Sequence, residues 1–282
     1  MKPPKRIVPL IEDGLVDEVV CQLKSGKEAS IFVVRCGDEI CCAKVYKEVN
    51  QRGFHTQAMY QEGRKVRNSR RARAMAKGSR YGRGEQETNW QNAEVDALYR
   101  LAAAGVRVPR PRTFIDGVLL MELVTDAEGS AAPRLDDITL TEAEALAYHR
   151  FLIDQVVRML CAGLIHGDLS EYNVLVDAGG PVIIDLPQAV DAAGNNNACR
   201  LLVRDVDRRT AFFGQYAPEL AMTDYAHEIW ALYESGDLTA DTELTGRFQR
   251  DERPADVEGV LQGIEEARQE AIWQQQRRDA EA

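Results

Sequence analysis

Apolar runs of strand length dominate the first part of the chain, and apolar residues at helical spacing dominate the second. Residues 7–23 predict an N-terminal helix followed by a short strand. Ser30-Ile31-Phe32-Val33-Val34-Arg35-Cys36 and the run Ile40 to Tyr46 flank the turn signal Gly37-Asp38, which predicts a β-hairpin. Trp90, Ala93, Ala97, Leu98 and Leu101 recur at helical spacing over 89–104, and Gly105 ends that helix. Val106 to Arg112 is broken by Pro109 and Pro111, Val118 to Val124 is an apolar strand, and 125–137 is a loop. Residues 141–162 predict a long helix ended by Gly163. Val174-Leu175-Val176 and Val182-Ile183-Ile184 predict a second hairpin across Asp177-Ala178-Gly179-Gly180. Residues 198–275 read as mostly helical, with a polar, fraying tail at 274–282.

A strand-rich half before a helix-rich half, without internal repeats, suits a bilobal α+β fold with a cleft between the lobes. The expected division is a first lobe over 1–124, a second over 125–273 and the tail, with the hinge near 122–134. The chain has 282 residues, 45% of them hydrophobic, enough for a real core. No apolar run spans a bilayer, and the basic start lacks the apolar centre of a secretory signal, so a cytoplasmic protein without a membrane partner is expected. The six cysteines form no C-x-x-C pair and read as small buried hydrophobes in a reducing compartment.

Charge sets one segment apart. The net charge is −10, yet residues 47–88 hold eleven basic and four acidic residues, and 64–83 holds nine basic residues and no acid. This insertion has few apolar anchors. Its charge suits a lid near the cleft, a docking site for an acidic protein, or salt-dependent binding to RNA or a ribosomal particle.

The strongest chemical signal is His166-Gly167-Asp168-Leu169-Ser170-Glu171-Tyr172-Asn173, followed by Asp185 at the end of Val182-Ile183-Ile184. This matches the H-x-D-L-x-x-x-N catalytic loop of protein kinases. Phosphoryl transfer needs a carboxylate to orient or deprotonate the acceptor, and Mg²⁺ needs oxygen ligands near the phosphates. Asp168 supplies the first; Asn173 and Asp185 supply the second from either side of a short hairpin. His166 organises the loop. Ala43-Lys44-Val45 is similar to the strand whose lysine contacts the α- and β-phosphates, and Glu94 is the natural ion-pair partner of Lys44, with Glu87 and Asp96 as competitors. In place of a glycine-rich loop stands Leu23-Lys24-Ser25-Gly26-Lys27-Glu28-Ala29-Ser30. Its backbone N–H groups can face phosphate, and Lys27 can reach the terminal one.

Together these motifs resemble the atypical RIO-type protein kinases. The resemblance rests on Ser25-Gly26-Lys27-Glu28-Ala29, Leu120-Met121-Glu122, Ala132-Pro133-Arg134-Leu135, the 166–173 loop and Ile184-Asp185-Leu186-Pro187-Gln188-Ala189-Val190. Leu202-Val203-Arg204-Asp205-Val206 and Phe212-Phe213 extend it, so that it covers about residues 15–215. Pro187 departs from the usual serine. The first RIO subtype, from a bacterial source, fits best. The resemblance implies a serine/threonine kinase using ATP and Mg²⁺ (or Mn²⁺), autophosphorylating on serine and working in part as an ATPase. It further implies a phosphoaspartate at Asp185, adenine contacts from the backbone near Glu122 and Val124 with Met121 beside the ring, phosphate-side roles for Ser25, Gly26, Lys27 and Ser30, and a place for Pro133 in the nucleotide site. Two alternatives remain open: a small-molecule kinase of the aminoglycoside or choline type, and an ATP-gated RNA- or ribosome-binding assembly factor. Tyr216-Ala217-Pro218-Glu219 also spells the motif that closes the activation segment of ordinary protein kinases, and reads here as coincidence with Pro218 as a helix stop.

Overall fold

Period-two alternation sorts the side chains of the first strands onto two faces, and each face finds its own core. The computed structural model describes residues 2–47 and 80–249, with side chains from 92 onward in the second stretch. It divides into two compact units, Met1–Arg247 and Phe248–Ala282, and all elements below belong to the first. Helix α1 (Val8–Glu12) precedes β1 (Glu18–Ser25), β2 (Ala29–Cys36) and β3 (Glu39–Tyr46). Helix α2 (Arg80–Ala103), β4 (Pro111–Ile115) and β5 (Val118–Glu122) follow. The five strands form one antiparallel sheet in the order β1-β2-β3-β5-β4.

On one face of the sheet, Phe32, Val34, Cys41, Ala43, Val45, Val118 and Leu120 pack against Ile7 and Leu10 beneath α1. On the other, Ala29, Tyr46 and Leu119 join Val95, Leu98 and Leu101 of α2 in the main core. Leu101 and Leu119 are fully buried, which stabilises each by about 1.5–3 kcal/mol relative to exposure. The main core continues into the helical part, so sheet and helices share one hydrophobic interior.

Helix α3 (Glu142–Cys161) starts at a capping box: Thr141 accepts from the Glu144 N–H, and the Glu144 carboxylate accepts from the Thr141 N–H. Its apolar stripe, including Leu152, Ile153, Val156 and Leu160, faces the core. Then come β6 (Leu164–Ile165), β7 (Val174–Asp177), β8 (Gly180–Ile183), β9 (Val190–Asp191), α4 (Ala198–Phe213) and α5 (Tyr225–Ser235). β7 pairs with β8 and β6 with β9. No helix of the described residues is long and apolar enough to cross a membrane.

The elements differ from the sequence reading in four places. Helix α2 begins at Arg80, inside the basic segment, rather than at 89. Pro111 does not prevent a strand, because β4 lies at the sheet edge, where a missing N–H costs little. Residues 198–249 are less helical than expected: α4 stops at Phe213, α5 ends at Ser235, and 236–249 holds no helix. Pro218 does not stop a helix but opens a short 3-10 turn, Pro218–Met222. Between Asp185 and Ala217 the chain forms β9 and α4. The rest of the basic insertion, 48–79, and the tail 274–282 lie outside the described residues.

Candidate active site

The site forms where β3, α2 and the two ends of the β7–β8 hairpin converge. Lys44 is the fourth register partner along β3, opposite Leu119 of β5, and its side chain is buried. It reaches Glu94 of α2 in a direct ion pair and donates to Asp185 Oδ1 at 2.9 Å. Tyr46, two residues along the same strand and so on the same face, donates its hydroxyl to Glu94 Oε2 at 2.7 Å. Burial works to lower the Lys44 pKa, but the carboxylates of Asp185 and Glu94 outweigh it and hold the amine charged well above the ordinary lysine range. The same amine holds the Asp185 carboxyl below the usual carboxylate range. Glu94 therefore takes the pairing role, while Asp96 is exposed and the Glu87 side chain lies outside the described residues.

Asp185 and Asn173 stand at the open end of the hairpin. Val174 is opposite Ile183, and Ile184 N–H donates to Asn173 O at 2.9 Å. Asp185 has a positive φ of 67°, a strained backbone that Asp tolerates better than most residues. Its side chain is packed about by protein yet remains 47% open to the cleft. Asn173 Nδ2 donates to Asp168 O at 2.9 Å, which directs its amide oxygen away from that loop. One amide oxygen and one carboxylate are the hard oxygen donors that Mg²⁺ takes alongside phosphate and water, so the residues fit this ion.

The 166–173 loop is held from both sides. His166 Nε2 donates to Ile184 O at 3.1 Å, so its Nδ1 accepts from the Asp168 N–H at 3.3 Å. From below, α4 grips Gly167, whose φ of 81° suits glycine. Gly167 N–H donates to Asp205 Oδ2 at 2.7 Å, and Arg204 donates to Gly167 O. Burial pushes the Asp205 carboxyl up despite these neighbours. Arg209, fully buried, pairs with Glu171 at 2.5 Å. The Asp168 carboxylate faces Arg208 and Gln188.

The phosphate-loop residues form the turn between β1 and β2. Gly26 N–H donates to Ala29 O at 2.8 Å, and the Ser25 and Ser30 hydroxyls are 3.3 Å apart. Lys27 is exposed. Lys47 donates to Ser25 Oγ at 3.0 Å and to Gly26 O at 2.5 Å. Met121 lines the same cleft as Lys44, Glu94, Ile184 and Asp185. Glu122 N–H donates to Arg110 O, and its carboxylate pairs with Arg110 in an open hollow. Val124 is buried, and its carbonyl accepts from the Ala132 N–H. Pro133 O accepts from Val176 N–H, which ties that loop to β7.

Sequence reasoning missed three contributors. Lys47 and Arg208 carry no motif signal, and Gln188 lies in a motif that gave it no role, because their contacts depend on where β3, the 185–190 loop and α4 end up in space. Arg204 and Asp205 were visible as a motif, but their grip on Gly167 was not.

A buried Lys–Glu pair on a five-stranded lobe, facing an Asp/Asn loop and a hairpin-end Asp, defines a protein-kinase-like phosphotransfer site. Comparison with known proteins narrows this. The family model described as the RIO domain matches residues 30–226. The RIO-type serine/threonine-protein kinase Rio1 of Haloferax volcanii is 33% identical over 73% of this chain and 67% of its own length. That of Methanocaldococcus jannaschii is 32% identical over 70% of this chain and 63% of its own. Human serine/threonine-protein kinase RIO1 is 27% identical over 74% of this chain but only 35% of its own length. The chain belongs to the RIO family.

Proposed function

We propose that this protein is an ATP- and magnesium-dependent serine/threonine protein kinase of the first RIO subtype, with Asp168 as its catalytic base. The observation that carries the reading is the joint engagement of Lys44 by Glu94 and Asp185, on the wall that faces the 166–173 loop. The Rio1 names of its relatives support the subtype.

Lys44 holds the α- and β-phosphates, and the Ser25–Ala29 turn, with Lys27 and Ser30, offers N–H, hydroxyl and ammonium donors to the remainder. Met121 packs beside the adenine ring, with the backbone at Glu122 and Val124 along its edge and Pro133 below. Asn173 and Asp185 hold Mg²⁺, which neutralises charge on the phosphates when bound. The serine or threonine hydroxyl oxygen forms a bond to the γ-phosphorus, and its proton passes to the Asp168 carboxylate. The bond from the γ-phosphorus to the bridging oxygen breaks, and its electron pair leaves with ADP. Water in place of the hydroxyl gives ATPase turnover, and Asp185 in place of the hydroxyl gives a phosphoaspartate.

Two further assignments belong to this reading. The buried thiols of Cys41 and Cys42 support a reducing, cytoplasmic setting. The charge of segment 64–83 supports salt-dependent contact with RNA or a ribosomal particle. Incubation with labelled ATP, a generic protein acceptor and a panel of small alcohols tests the reading. Label in protein is expected; label only in an aminoglycoside or choline-like alcohol would reject it.

A further inference from the structure

Hydrogen bonds from three sides hold the backbone of the Asp168 turn. Gly167 N–H donates to Asp205, Arg204 donates to Gly167 O, Asp168 N–H donates to His166, and Asn173 donates to Asp168 O. None of them fixes the Asp168 carboxylate, which still turns about two side-chain bonds. That side chain is 37% exposed. Among the described residues, two groups reach it. Arg208 Nη1 donates to Oδ1 at 3.1 Å, and Gln188 Nε2 donates to Oδ2 at 3.4 Å. The shorter and charged contact is the arginine's.

Arg208 stands on α4 one turn beyond Arg204, on the same face of the helix. The helix thus grips the loop backbone with one arginine and reaches its carboxylate with the next. We propose that Arg208 is the positioning residue of the transfer centre: it fixes the Asp168 carboxylate in the orientation that receives the acceptor hydroxyl. The proposal rests on Asp168 being the base. Each carboxylate oxygen takes one donor and keeps a lone pair, so the clamp leaves room for the incoming hydroxyl. The guanidinium uses one of its five N–H groups here, and 48% of its side chain stays open. An exposed pair of this kind adds little to stability, so its value lies in orientation.

The test compares the intact protein with Arg208→Ala, Arg208→Lys, Asp168→Ala and a control, Arg200→Ala, which lies about two turns earlier on the same helix. Phosphate transfer, KM for ATP and melting temperature are measured for each, with and without millimolar guanidinium. Arg208→Ala is expected to lower kcat by ~10–100-fold, the usual effect of a misplaced catalytic group, with KM for ATP within about twofold. Its melting temperature should stay within about 2 °C. Guanidinium should restore part of its rate, Arg208→Lys should lie between the two, and Arg200→Ala should match the parent. An unchanged kcat in Arg208→Ala, alongside an inactive Asp168→Ala, would overturn the proposal and leave the proposed function intact. So would a loss that neither guanidinium nor lysine relieves and that follows a fall in melting temperature. An active Asp168→Ala would instead reject the assignment of the base on which the proposal rests.

Discussion

Lys44 and Glu94, fifty residues apart in sequence, form a buried ion pair that joins the sheet to helix α2. The pair is also where folding and function meet, because the same amine reaches Asp185 on the opposite lobe. Burying two charges is costly, and their mutual attraction repays this only while both are present. Lys44→Met should therefore destabilise the fold by about 3–5 kcal/mol, since it leaves the Glu94 carboxylate buried beside Tyr46 without its cation. Lys44→Met/Glu94→Gln should recover most of that stability but none of the phosphate transfer. Denaturant unfolding and ATP binding measured on both variants check this.

Asp168 stands apart from the Lys44–Glu94 pair. Asp168 touches the 166–173 loop, Gln188 and Arg208, but not Lys44 or Glu94 among the described residues. Asp168→Asn should lower transfer by ~10²–10⁴-fold, the range of a lost general base, while ATP binding stays within about threefold. Parallel loss of ATP affinity would place Asp168 on the nucleotide instead.

Divalent metal dependence should follow Asp185 and Asn173. Chelation should abolish transfer and added Mg²⁺ restore it. Asp185→Asn removes one negative charge from the ion's oxygen donors and should raise the Mg²⁺ concentration for half-maximal rate about tenfold or more. A titration of rate against free Mg²⁺, repeated with Mn²⁺, reads this out.

His149 predicts a pH limb of stability unrelated to catalysis. It is buried on α3 between Phe213 and Tyr225, with Nε2 3.1 Å from Thr210 Oγ1. Burial, with the charge of Arg209 beside it, pushes its pKa down from 6.5 to about 4. Above pH 6.5 both folded and unfolded chains hold it uncharged, so it contributes no pH dependence. Between 6.5 and about 4 the unfolded chain takes up a proton that the folded one refuses. Stability therefore falls as pH drops through that window, by up to about 3 kcal/mol. In His149→Gln that part of the slope should vanish from unfolding midpoints measured across pH.

The capping box at Thr141 offers a contrast. Thr141→Ala should cost about 1 kcal/mol, as helix caps generally do, without changing kcat or KM. Calorimetry and the transfer assay on one preparation separate the two effects.

Much of this was legible in the chain. The β2–β3 hairpin, α3 and the β7–β8 hairpin carry strong local signals, and the Asp168, Asn173, Asp185 and Lys44 spacing reflects what phosphoryl transfer requires. Glu94 is the sequence's own choice for Lys44 on charge and position, but only packing shows that it is buried against the amine while Asp96 is exposed. The Arg208 contact was invisible for the same reason: an exposed arginine on a helix carries no mark of the loop it reaches. The absence of helix over 236–249 shows that composition without periodic caps is weak ground for a long helix.

Where the phosphate of ATP goes is the most direct test of the transfer centre. Purified protein and Asp168→Ala are incubated with labelled ATP and Mg²⁺, and the products are resolved by intact mass and peptide mapping. Label on serine or threonine of the wild-type chain, absent from the variant that still binds ATP, is the predicted result. Equal labelling of both proteins, or no label in protein at all while a small alcohol is phosphorylated, would contradict it.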